Sequence, residues 1–130
     1  DVIKQYSVFV DTTLFHEVIE NIISNAVKYS PLEKKVYITV DEIPREHSSF
    51  IRIAVKDEGP GLTDDDKQKL FGKFQRLSAQ PTGGEHSSGL GLAIVKKLVE
   101  AMNGTIYCES IYGQGATFIV EFPIYSTESL

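Results

Sequence analysis

Apolar residues recur at helical spacing between Thr12 and Tyr29, where Leu14, Val18, Ile19, Ile22, Ile23, Ala26 and Val27 share one side. Asp11 stands where an N-cap belongs, and Pro31 stops any extension. Helical spacing returns from Leu90 to Met102, with Gly104 just past the end. Elsewhere the period is two. Val36, Ile38 and Val40 alternate with Tyr37, Thr39 and Asp41, which predicts a half-buried strand over Lys35–Asp41. Phe50–Lys56 follows as its hairpin partner across a loop at Ile43–Ser49, and Tyr6–Val10 reads as a short strand. Thr105–Ile111 and Ala116–Phe122 pair through the turn Tyr-Gly-Gln-Gly. A short helix over Thr63–Leu70 begins at a capping residue and carries acids in its first turn. Strand pairs interspersed with helices predict a two-layer α/β sandwich, with one mixed sheet and helices on one face. The regular βαβα alternation of a doubly wound sheet is absent.

Composition narrows the classes. The 130 residues suit one domain, and 42% hydrophobic with 24% charged residues is ordinary globular usage. A net charge of -5 disfavours nucleic acid as a partner. Cys108 is the single cysteine, which excludes an internal disulfide, and with three scattered histidines it speaks against structural zinc. Asp1 in place of an initiator Met suggests a segment taken from a longer chain.

Four motifs carry candidate chemistry. Glu17, Asn21, Asn25 and Lys28 form one polar stripe on the first helix. Asparagine is a mediocre helix former, so two of them a turn apart point beyond a solvated face. Their oxygens are hard neutral ligands suited to Mg²⁺, and Lys28 can meet a phosphate. Asp57-Glu58-Gly59-Pro60-Gly61 follows the apolar strand Ile51–Val55, setting a carboxylate at a pocket mouth, although an ordinary turn explains this motif as well. Gly89-Leu90-Gly91-Leu92 lies where a polar loop enters a helix, whose free amides can receive phosphate. It is neither a P-loop nor a dinucleotide fingerprint, since no Gly-Lys-Ser/Thr follows and Ile94 takes the place of the third glycine. Gly113-Gln114-Gly115-Ala116-Thr117-Phe118 is equally well explained as a plain hairpin turn.

Together and in order, these motifs resemble the catalytic ATP-binding domain of sensor histidine kinases, within the superfamily that includes gyrase B, Hsp90 and MutL. The likeness runs from about Tyr6 to Pro123: an N box at Glu17–Ser30, a G1 box at Asp57–Leu62, an F box at Leu70–Leu77, a G2 box at Ser87–Val99 and a G3 box at Gly113–Phe118. It implies a Bergerat-type fold: a mixed, mostly antiparallel sheet, three helices on one face and an ATP lid over 63–88.

The resemblance also implies roles. Asn25 would hold the Mg²⁺ that bridges the ATP phosphates, with Asn21 and Lys28 near those phosphates and Tyr29 packed on the nucleoside. Asp57 would accept from the adenine 6-amino group. Gly59, Gly61, Leu62 and Thr117 would line the adenine edge. Ser88, Gly89, Leu90, Gly91 and Leu92 would face the phosphates, with Lys73 and Arg76 reaching in from the lid. Arg76 suits the γ-phosphate because its planar fork stays charged. Glu17, Asn21 and Arg76 are the catalytic candidates. Ser87 and Ser88 replace the family's usual Gly-Thr, which implies retained binding and altered lid order.

The implied reaction moves the ATP γ-phosphoryl group to a histidine on a separate dimerisation domain, from which a response-regulator receiver domain would take it. His16-Glu17 imitates an acceptor motif, but Val18-Ile19-Glu20 follows instead of a basic residue and Thr-Pro. The alternatives are an ATP-hydrolysing or serine-directed member of the same superfamily, and the F box Phe71-Gly72-Lys73-Phe74-Gln75-Arg76 favours the histidine kinases over both. The domain is expected to be cytoplasmic, monomeric in isolation and able to bind ATP and ADP.

Overall fold

A computed structural model describes residue 8 and residues 10–29, 34–71 and 90–124. In chain order these form α1 (Thr12–Tyr29), β1 (Tyr37–Pro44), β2 (Ser49–Lys56), α2 (Asp64–Lys69), α3 (Leu90–Ala101), β3 (Thr105–Ser110) and β4 (Ala116–Pro123). The sheet runs β1-β2-β4-β3, and every pairing in it is antiparallel. The mixed character expected of the sheet is therefore not found among the described residues. Of the strand expected at Tyr6–Val10, Val8 makes an isolated antiparallel bridge to Ile124.

The starts of α1 and α2 follow from local sequence. Asp11 Oδ1 accepts the amides of Thr13 at 3.0 Å and Leu14 at 3.1 Å, satisfying donors that the first turn of α1 leaves unpaired. Thr63 and Asp66 form a reciprocal capping box on α2. At the end of α3 the left-handed residue is Asn103 (φ 63), not Gly104, and the Gly104 amide reaches back to the Val99 carbonyl at 3.0 Å. Asn tolerates this conformation through its short polar side chain. Gly104 serves packing instead, since a Cβ there would lie 2.7 Å from the Phe122 ring.

The core lies between α1, α3 and the sheet, where Val18, Ile22, Ala26, Val95 and Val99 meet Val55, Phe118, Val120 and Phe122. β1 departs from expectation, because its residues are exposed except Ile43. Ile38 is 52% and Val40 55% exposed although both alternate correctly. β1 is the sheet edge, and α1 packs over β2. The strand also runs through Ile43 and Pro44, and the Arg45 amide bonds to the Ser48 carbonyl at 2.9 Å. Proline is tolerated there because an edge strand has no second neighbour to receive its missing N–H.

Opposite the helices, β4 presents Glu121, which is 2% exposed. Arg45 donates to it at 2.7 Å, Tyr107 at 2.8 Å and Arg52 at 2.9 Å. Burial alone would raise this carboxyl, but the donors outweigh it and hold the group below its ordinary range.

Candidate functional site

The apolar residues of β2 anchor that strand in the core, and Asp57 is the first residue past its end. Its carboxylate is 4% exposed. Oδ1 accepts the Gly59 amide at 2.9 Å and the Ala116 amide at 3.1 Å. The Asp57 amide in turn donates to the Ala116 carbonyl at 2.9 Å. Burial pushes the carboxyl above its usual value, while the two amides pull it back. The result is a buried carboxylate with a fixed orientation.

The loop after Asp57 is clamped to the β3–β4 turn. The Gly113 amide donates to the Pro60 carbonyl at 2.6 Å. The Leu62 amide donates to Ser110 Oγ at 2.8 Å, and that hydroxyl donates to the Gly115 carbonyl at 2.7 Å. Lys67 Nζ reaches the Ser110 carbonyl at 3.0 Å, which adds α2 to the cluster. Two glycines make this approach possible. Gly61 (φ 76) and Gly115 (φ 82) hold left-handed conformations that side chains rarely adopt. A Cβ at Gly61 would lie 2.7 Å from the Ile111 carbonyl oxygen, and one at Gly115 would run into the Asp57 carbonyl.

A cleft of about 560 Å³ opens beside this clamp, lined by Tyr37, Lys56, Asp57, Glu58, Gly59 and Gln114. Tyr37 donates its hydroxyl to Glu58 at 3.0 Å on the rim.

On α1 the buried side chains are Val18, Ile22 and Ala26. Of the polar stripe, Glu17 is exposed, whereas Asn21, Asn25 and Lys28 are half-buried. Asn21 Nδ2 donates to the Glu17 carbonyl at 2.7 Å, which directs its amide nitrogen into its own helix. Val27, read as part of the apolar side, is 59% exposed.

The structure brings Asp57, Gly59, Gly61 and Leu62 into one clamped unit with the β3–β4 turn. Thr117 sits one residue beyond the contact, in register with Lys56 and Glu109. It alternates with the core residues Phe118, Val120 and Phe122, so it belongs to the other sheet face. Leu92 is buried in the core, and α3 begins at Leu90 with Gly91 next. Lys73, Arg76, Ser88 and Gly89, most of the 63–88 lid, and the side chain of Tyr29 lie outside the described residues. Sequence reasoning missed Ser110 and the amide of Ala116. Among the described residues no group of three or more His, Cys, Asp or Glu could hold a metal by itself. Burial pushes the Cys108 thiol up to about 12, with Asp57 adding to the effect, so it is no nucleophile at neutral pH.

Comparison with known proteins decides the family. The pattern of the histidine kinase-, DNA gyrase B- and HSP90-like ATPases matches residues 10–126. The chain belongs to this family. Among relatives of this ATPase-family domain, the sensor histidine kinase WalK of Bacillus subtilis is 40% identical over 114 residues. That match takes in 88% of the chain but only 18% of WalK, so the chain spans less than a fifth of that relative. The full-length ShkA structure, in complex with AMPPNP, superposes with a TM-score of 0.74 at 30% identity, over 95% of this chain and 24% of that one. The mycobacterial sensor histidine kinase MprB shares the fold with a TM-score of 0.79 at 24% identity, over 92% of this chain and 78% of that one. The expected two-layer α/β architecture is thus the observed one, and the chain corresponds to the ATPase-family domain of sensor histidine kinases such as WalK. No helix among the described residues is long and apolar enough to cross a membrane.

Proposed function

We propose that this chain is the catalytic domain of a two-component sensor histidine kinase, binding ATP and passing its γ-phosphoryl group to a histidine on a separate dimerisation domain. A receiver domain would then take the phosphoryl group onward. The observation that carries this reading is the buried Asp57 carboxylate, held through Oδ1 by two backbone amides. Oδ2, which neither of those amides engages, is the acceptor for the adenine 6-amino group. Guanine presents a carbonyl at that place and is rejected by the same oxygen. Gly59, Gly61 and Leu62 shape the base pocket.

On α1, Asn21, Asn25 and Lys28 would face the phosphates, and Arg76 would meet the γ-phosphate with its charged planar fork. Such transfer depends on positioning and charge neutralisation more than on covalent help from the protein. Asn25 would hold Mg²⁺ through its neutral side-chain oxygen, a hard ligand that suits this ion. When bound, the ion neutralises phosphate charge. Lys28 would add a second positive charge, and Asn21 would donate to a phosphate oxygen through the Nδ2 hydrogen that its bond to the Glu17 carbonyl does not use. Glu17, one turn before Asn21, orients the incoming imidazole.

Calorimetric titration of the chain with ATP and ADP, with and without Mg²⁺, tests the assignment. Asn25→Ala should weaken ATP binding in Mg²⁺ by roughly tenfold and shrink its Mg²⁺ dependence. Unchanged Mg²⁺-dependent binding in that variant would remove Asn25 from the site.

A further inference from the structure

We propose that Ser110 is a positioning residue for the nucleotide site, its hydroxyl locking the Gly59–Leu62 loop to the β3–β4 turn in the register that aims Asp57 at the base. The inference rests on the reading of Asp57 as the base-recognising group.

Ser110 is the last residue of β3 and is half-buried. Its Oγ acts in both directions, accepting from Leu62 at 2.8 Å and donating to Gly115 at 2.7 Å. A hydroxyl is the smallest side-chain group that can do both. The space around it is tight, since a Cβ at Gly61 would lie 3.0 Å from Oγ. Removing the hydroxyl would orphan the Leu62 amide and the Gly115 carbonyl, and both residues are buried.

The consequence reaches Asp57 through one peptide unit. Gly115 is followed by Ala116, whose amide and carbonyl both bond to Asp57, at 3.1 Å and 2.9 Å. Gly115 itself lies against the Asp57 carbonyl so closely that no Cβ would fit. The Ser110 hydroxyl therefore links the two segments that orient the carboxylate, beside the backbone bond from Gly113 to Pro60. That serine lies 48 residues from Leu62 and five residues from Gly115 in the chain. Ser110 does not itself contact the base; it acts through Gly115 and Ala116.

The test compares wild type, Ser110→Ala, Ser110→Thr and Asp57→Asn in the full chain, below the melting temperature of each. Dissociation constants for ATP and GTP are measured by competition. Ser110→Ala should weaken ATP binding by about tenfold, leave GTP nearly unchanged, and so narrow the preference for ATP by the same factor. Ser110→Thr keeps the hydroxyl and should stay within about threefold of wild type. If Ser110→Ala does not fold, Ser110→Cys fills the space with a weak hydrogen-bonding group and should narrow the preference in the same way. A merely structural serine would lower the melting temperature and leave the ATP preference at its wild-type value, and that result overturns the proposal. Asp57→Asn separates the two levels. A preference that survives Asp57→Asn overturns the reading of Asp57 and Ser110 with it. A preference lost in Asp57→Asn but kept in Ser110→Ala overturns Ser110 alone.

Discussion

Ala116 and Asp57 hold each other by a reciprocal pair of hydrogen bonds, the Ala116 amide donating to Oδ1 at 3.1 Å and its carbonyl accepting the Asp57 amide at 2.9 Å. The two residues are 59 positions apart. Their pairing lies one step past the last β2–β4 pair, Lys56 with Thr117, and converts the end of β2 into a fixed carboxylate.

Asp57→Asn follows directly. The carboxamide oxygen must occupy the Oδ1 position to accept the Gly59 and Ala116 amides. The amide nitrogen then faces the base, opposing the adenine amino group but matching the guanine carbonyl. ATP binding should weaken by about 2 kcal/mol, roughly thirtyfold, while GTP gains relative to ATP. The fold should not suffer. A carboxyl whose folded value is raised binds its proton more tightly when folded, so its ionised form costs stability above that value. At neutral pH Asp57→Asn should melt at or above the wild-type temperature, an advantage that fades as pH falls through the folded value of Asp57.

Gly115→Ala tests the close approach. The residue has φ 82, and an added Cβ would collide with the backbone carbonyl of Asp57. Backbone cannot yield as a side-chain tip can. The variant should lose about 3 kcal/mol of stability in chemical denaturation, with ATP affinity falling alongside.

Glu121 supplies a prediction away from the site. Glu121→Gln retains the shape but forfeits the charge-assisted bonds from Arg45 and Arg52. Both arginines keep access to water, so the loss should be about 2 kcal/mol, less than for a fully buried pair. The folded carboxyl titrates below its ordinary value of 4.5. Its contribution is therefore complete above that value and vanishes as pH falls through the lower folded one. Wild type and Glu121→Gln should differ in melting temperature at neutral pH and converge in strong acid.

Much of this was legible in the chain. Helical spacing located α1 and α3, because a buried stripe must repeat every turn. Asp11 and Thr63 marked helix starts by local chemistry alone. The Asp57 motif announced a carboxylate past a strand end. What escaped depends on distant neighbours. Ile38 and Val40 alternate as a half-buried strand should, but alternation assigns a face without saying whether a helix covers it. Ser110 and Ala116 carry no local mark, since their partners lie 48 and 59 residues away. The resemblance implied Thr117 at the base edge, yet the bonds to Asp57 come from the backbone of Ala116, a group that every residue has. Asn103 took the left-handed position that the neighbouring glycine seemed made for.

The most direct test of the kinase reading is transfer itself. The chain is mixed with a separately produced helical domain carrying the acceptor histidine, together with Mg²⁺ and γ-labelled ATP, and the label is followed on the protein and as free phosphate. The account predicts acid-labile, base-stable label on the histidine domain, dependent on this chain and abolished by Asn21→Ala, with little free phosphate from the chain alone. Brisk release of free phosphate without label on the histidine would contradict it and identify a hydrolase.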